Sequence, residues 1–213
     1  MEITPALLPK MIEAIADTIE QNAEEVTALD QAIGDGDHVT NLQRGIEAVK
    51  AKSDELSPLD WGGALQKIGM TLLATMGGAS GSLFGTLFIS MSKAAAGQTL
   101  DQQSFAAVFA EGVEAVKKRG KAQAGEKTML DALIPVAEAL QQGAAESTPL
   151  ADLLQTICQS AITGMESTRD MVATKGRASF LEERSKGHID AGAKTSQLMI
   201  CAITDVVKET ARQ

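Results

Sequence analysis

An all-α fold is predicted, with eight helices running up and down as an antiparallel bundle. Three observations predict it. Alanine, leucine, methionine and glutamate dominate and aromatics are only 3 %, a composition that favours helix over strand. Apolar residues, 44 % of the chain, recur at helical spacing nearly throughout, and no run alternates with period two between turns. The links between helices are of two kinds, and the kinds alternate along the chain.

The first helix is expected from Pro5 to about Leu29, with Pro5 and Pro9 in opening turns where a missing N–H costs little. The second runs from about Val39 to Ser53. The third follows "LSP" and runs from Leu59 to about Met76. The fourth spans Ser80 to about Ala96 and the fifth Asp101 to Lys118. The sixth spans Lys127 to Gln142, with a kink expected at Pro135. The seventh runs from Pro149 to about Thr174 and the eighth from about Ala191 to Ala211.

Links two-three, four-five and six-seven read "DELSP", "AGQT" and "GAAESTP", short polar turns and little else. The other four read "QAIGDGDH", "GGASG", "RGKAQAGE" and "KGRASFLEERSKGHIDAG" and hold most of the loop glycine and loop charge. Helices joined by short links run antiparallel, so every odd-to-even link lands at one end. The four unusual loops are therefore expected to meet on one rim. No repeat, low-complexity tract or long linker divides residues 1–213, which are read as one unit.

Charge narrows the function. A net charge of −9 and a pI near 4.8 argue against nucleic acid and against an anionic membrane, since both need a basic face. No stretch reaches the ~18 apolar residues of a membrane span. The start "MEITPALLPK" lacks the basic and apolar runs of a secretory leader. Cys158 and Cys201 lie among apolar residues of helical patterns and are expected as buried free thiols. These features together suggest a cytoplasmic protein.

The first unusual loop, within "LDQAIGDGDHVTNLQRG", sets Asp30, Asp35, Asp37 and His38 close together around two glycines. Carboxylates so crowded repel unless a cation sits among them, and the spacing suits a hard ion such as Mg2+, which takes oxygen ligands plus water and phosphate. An EF-hand does not fit, because the twelfth position is Gln43 from Asp30 and Ile46 from Asp35. The plain alternative is an aspartate capping the next helix. The second loop, "MGGASGSLFG", brings glycine and a helix N-terminus together, which suits phosphate but also suits close helix packing. It lacks the ending of a P-loop. Lys117, Lys118, Arg119, Lys121 and Lys127 either solvate a helix end or face the ligand. The fourth loop is long for a compact fold and carries Lys175, Arg177, Arg184, Lys186, His188 and Asp190, so it is expected to be ordered and functional. Acids, backbone N–H groups and guanidinium on one rim match Mg2+ with a polyphosphate, hence a nucleotide.

The motifs "LDQAIGDGDHVTN", "GMTLLATMGGASGSLFGTLF", "RGKAQAGEKTMLDAL" and "KGRASFLEERSKGHIDAGA" stand in the order found in one family. From about residue 25 to 205 the chain resembles the L subunit of dihydroxyacetone kinase. The resemblance implies an eight-helix antiparallel barrel with the nucleotide at one rim. It implies two Mg2+ ions on Asp30, Asp35 and Asp37. It implies ADP or ATP contacts at His38, Val39, Thr40, Asn41, Ala79, Ser80, Gly120, Met129, Arg177, Asp190, Ala191 and Gly192. Two positions depart from the family. Val39 replaces a common glycine, and Asp-Ala-Gly at 190–192 replaces Asp-Pro-Gly.

The resemblance further implies a division of labour. A separate K subunit holds dihydroxyacetone, and this chain presents the phosphoryl donor, with Arg177 offsetting charge on the moving group. A free-standing chain suggests that ADP stays bound and is recharged by a phosphocarrier M subunit of the phosphotransferase system. The alternatives are a two-subunit ATP-using kinase for a related small ketose or sugar, and a nucleotide-state module that reports to a transcriptional regulator.

Overall fold

The computed structural model describes residues 4–212; the reading of the N-terminus as leaderless falls partly on residues 1–3, outside the described residues. Ten α-helices and three short 3-10 stretches appear among the described residues, with no strand. The extra helices come from two local breaks. Where one opening helix was expected, α1 (Leu8–Gln21) and α2 (Ala23–Ile33) meet at Asn22. The Asn22 side-chain amide donates to the Thr18 carbonyl at 2.8 Å, a local bond that competes with the helical ladder. After α3 (His38–Lys50), the link "SDEL" winds into the single turn α4 (Ser53–Leu56), which buries Leu56.

The middle helices are α5 (Trp61–Thr75), α6 (Gly78–Ala95) and α7 (Gln102–Gly120). Caps set their starts. Asp60 accepts the Gly63 N–H at 2.7 Å, and Asp101 and Ser104 form a reciprocal capping box. Helix α8 (Leu130–Ala145) carries Pro135 in its interior, so the Asp131 carbonyl lacks its usual donor. Gly164 of α9 (Leu150–Ser167) lies directly over that carbonyl; a Cβ there would collide with Asp131 O. Helix α9 stops short of the expected Thr174. The Thr168 hydroxyl donates to Met165 O at 2.7 Å, and a 3-10 turn (Thr168–Asp170) closes the end. Another 3-10 stretch (Arg177–Ser185) orders part of the long loop, before α10 (Ala191–Ala211).

Packing runs in chain order from α5 to α10, then α10 on α1, α1 on α3 and α3 on α5, so the contacts close on themselves. Ile19, Val26, Leu42, Leu56, Val116 and Leu130 are almost fully buried in this interior. At one end the dull links meet: Gln102 Nε2 donates to Gly143 O at 3.1 Å and Thr148 O at 3.2 Å, joining links α6–α7 and α8–α9. The four unusual loops lie at the other end. No helix among the described residues is long and apolar enough to cross a membrane.

One expectation is corrected. Cys158 on α9 and Cys201 on α10 are not free thiols but a disulfide, with Cα atoms 4.9 Å apart. The two helices are packing neighbours, which brings positions 43 residues apart within bonding range. The expectation of a cytoplasmic protein therefore draws no support from free thiols.

Candidate functional site

A cavity of about 550 Å3 opens at the rim where the four loops meet. Each loop earns its place through local geometry. Helix α2 ends at Ile33, and Gly34 and Gly36 reverse the chain so that Asp35 and Asp37 turn back toward Asp30. Gly36 holds a φ of +78°, which glycine adopts without strain. One carboxylate oxygen from each of Asp30, Asp35 and Asp37 lies within 4.8 Å of the others. That is a spacing that one divalent ion, or a closely spaced pair, could bridge with oxygen ligands. The site already shows how a cation relieves the crowding. Arg177 Nη2 ion-pairs with Asp35 Oδ2 at 2.8 Å, while the Arg177 side chain stays 71 % exposed.

His38 opens α3 and is buried beneath the acids. Its N–H donates to Asp30 Oδ2 at 3.1 Å. Its ring bridges two hydroxyls, Nδ1 with Ser80 Oγ at 3.1 Å and Nε2 with Thr195 Oγ1 at 2.9 Å, so one ring nitrogen donates and the other accepts. Burial pushes the imidazole below its ordinary pKa, against the pull of Asp30, Asp37 and Asp35. A neutral ring thereby ties α3 to the starts of α6 and α10.

The glycine loop faces the acids. Gly78 has a φ of +70°, and a Cβ on Gly81 would strike the Met76 carbonyl, so both positions need glycine. This lets α6 begin hard against α5 and places Ala79 and Ser80 on the cavity wall. On the far side, Asp131 stitches the α7–α8 loop by accepting the Gly125 N–H at 2.6 Å and the Thr128 N–H at 2.7 Å. Asp190 caps α10, accepting the Ala193 N–H at 2.8 Å. Burial pushes its carboxyl up to about 6; the Ala193 bond and Lys127 oppose that shift, and Asp131 and Asp30 add to it.

The cavity wall brings together Asp30, Asp35, Asp37, His38, Asn41, Ala79, Ser80, Gly120, Met129, Arg177, Asp190, Ala191 and Gly192. Two expected contact residues are not on it. Val39 turns into the core at 4 % exposed, and Thr40 faces outward on the first turn of α3. Because Val39 sits in ordinary helix, its replacement of glycine strains nothing. Further lining residues come from the charged runs, and one, Thr128, is not singled out by the sequence. Arg119, one of a basic run, donates through Nε to Ser82 Oγ at 2.8 Å on the wall. Lys175 and Thr128 join them. Lys127 is buried rather than solvated, which no residue pattern signals. A broader groove of about 740 Å3 runs along α8 and α9, but it gathers no such mix of acids, glycine N–H groups and guanidinium.

The comparisons decide the family. The DAK2 domain model matches residues 32–205. The chain belongs to the DAK2 domain family. Among relatives of this family, the chain is similar to the ADP-binding subunit DhaL of PEP-dependent dihydroxyacetone kinase 1 from Listeria innocua. The two are 41 % identical over 194 residues, covering 91 % of this chain and 92 % of that one. It is 38 % identical over 210 residues to the ADP-binding subunit DhaL of the PEP-dependent dihydroxyacetone kinase of Escherichia coli, covering 98 % of this chain and 100 % of that one. The crystal structure of dihydroxyacetone kinase from C. freundii in complex with AMP-PNP and Mg2+ shares the fold, with a TM-score of 0.72 and 24 % identity. That likeness covers 96 % of this chain and 34 % of the longer one. The DAK2 chain is therefore all-helical and of phosphotransferase lineage.

Proposed function

We propose that this chain is the nucleotide-holding subunit of a dihydroxyacetone kinase, passing a phosphoryl group from bound nucleotide to dihydroxyacetone on a separate K subunit. The observation that carries this is the joint placement of three carboxylates, glycine-lined helix starts and Arg177 around one cavity. The names of the full-length relatives, ADP-binding subunits of PEP-dependent kinases, support ADP as the resident nucleotide and PEP as the ultimate donor. On this reading ADP is recharged in place by a phosphocarrier M subunit, in the cytoplasm.

Each side chain then has a task. Asp30, Asp35 and Asp37 hold Mg2+, two ions in the full site. When bound, the metal neutralises the acids and polarises phosphate oxygens. The N-terminal turns of α3, α6 and α10 aim backbone N–H groups at the phosphates, where helix dipoles favour negative charge. Neutral His38 fixes the spacing of those three helix starts through Ser80 and Thr195. Arg177 is released from Asp35 when metal binds there, and its guanidinium then balances charge on the phosphoryl group in flight. The phosphorus–oxygen bond to the nucleotide breaks as a bond to the acceptor hydroxyl forms. That hydroxyl's proton goes to a base on the K subunit, because Asp30, Asp35 and Asp37 are committed to metal, Asp190 caps α10 and both His38 ring nitrogens are engaged.

Reconstitution tests the proposal. The purified chain is mixed with a K-type subunit, dihydroxyacetone, and a PEP-charged phosphocarrier relay. Dihydroxyacetone phosphate should form with many turnovers per bound ADP and without added ATP. Formation only with stoichiometric ATP would replace the relay with an ATP-using kinase. No product under either condition, with both partners active, would overturn the proposal.

A further inference from the structure

Lysine is almost never fully buried without a charged partner against it. Lys127 is 1 % exposed, and no carboxylate among the described residues ion-pairs with it. Its ammonium instead donates to two backbone carbonyls, Thr168 O and His188 O. Taking an ammonium out of water costs several kcal/mol, and a methionine would fill the same space without that cost. The backbone adds to the oddity. Lys127 has a φ of +60°, a left-handed conformation that a non-glycine residue holds only where its surroundings over-determine it.

The two carbonyls explain what is gained. Thr168 stands just past the end of α9, where orphan carbonyls concentrate negative charge. His188 lies two residues before Asp190. The bond chain continues from there: the Asp190 N–H donates to Thr168 Oγ1 at 3.0 Å, and Asp190 Oδ2 caps α10 at Ala193. One ammonium therefore fixes the α7–α8 loop, the end of α9 and the turn entering α10 relative to one another. Lys127 and the residues it fixes, Asp190, Ala191 and Gly192, all border the rim cavity.

We propose that Lys127 is a positioning residue for the nucleotide: it sets where the Asp190–Gly192 turn stands, and so sets how tightly the nucleotide is held. This rests on the functional reading only in taking a nucleotide as the ligand. Lys127→Met keeps the length of the side chain and removes its charge. Titration calorimetry of the full chain with ADP in saturating Mg2+, well below the melting temperature, should show Kd raised about 10- to 100-fold, the scale of loss from a misplaced contact. In the reconstituted transfer the rise should fall on KM for nucleotide and spare kcat. A lower melting temperature with Kd within twofold of wild type would make Lys127 a structural residue and overturn the proposal. Should Lys127→Met fail to fold, Lys127→Gln decides: it keeps an N–H donor for the Thr168 and His188 carbonyls but removes the charge and shortens the reach, and Kd should rise in the same direction. An unchanged Kd there overturns the proposal as well. Wild type that binds no ADP would instead sink the functional reading.

Discussion

Replacing Asp190 with asparagine should stabilise the ligand-free protein at neutral pH, although it alters the candidate site. The folded protein holds the Asp190 proton up to about 6, whereas an unperturbed aspartate releases it near 3.8. Between those values the folded state binds more protons than the unfolded chain. Stability from this group is therefore full below 3.8 and falls as pH rises through about 6. A shift of roughly two units at about 1.4 kcal/mol per unit gives about 2–3 kcal/mol lost above that window. Asparagine resembles the protonated acid and keeps an oxygen for the Ala193 N–H. Urea unfolding of wild type and Asp190→Asn, free of Mg2+ and nucleotide, measures the difference at each pH from 4 to 8. The variant should match wild type near pH 4 and exceed it by about 2–3 kcal/mol at pH 7. A difference that stays flat with pH, or a variant weaker at pH 7, would refute this placement of a buried carboxyl. Such a gain fits a site that gives up stability to hold charge where a ligand needs it.

Two further outcomes follow from contacts already described. Gly164→Ala should lose about 1–3 kcal/mol in urea unfolding despite alanine's better helix propensity, because its Cβ would strike the Asp131 carbonyl on rigid α8 backbone; a gain would mean α8 and α9 can separate freely. Arg177→Met should cut phosphoryl transfer about 100- to 1000-fold in the reconstituted assay while changing ADP affinity far less; equal transfer rates would remove Arg177 from the chemistry.

The rim was legible because the chain writes it as an alternation of plain and charged links, and antiparallel helices turn alternation into two ends. Crowded Asp30, Asp35 and Asp37 suggested a cation by repulsion alone, and the fold brings one carboxylate oxygen of each within 4.8 Å of the others. Other features depend on distances no spacing encodes. The break at Asn22 is one side-chain bond to Thr18, and asparagine occurs in unbroken helices too. The Cys158–Cys201 pairing needed the adjacency of α9 and α10. Val39 and Thr40 were grouped with His38 by sequence, yet a helix turns about 100° per residue and carries neighbours off the wall. For Lys127 the sequence left open whether it solvates a helix end or faces the ligand; only three converging loops bury it.

Native mass spectrometry tests most directly whether the three carboxylates exist to hold metal with a diphosphate. Wild-type chain, exchanged into volatile buffer after incubation with ADP and Mg2+, should carry the added mass of both, and Asp35→Asn treated alike should carry neither while keeping its helical circular dichroism. A folded wild type that travels bare, or an Asp35→Asn that retains ADP and magnesium as well as wild type does, would contradict it.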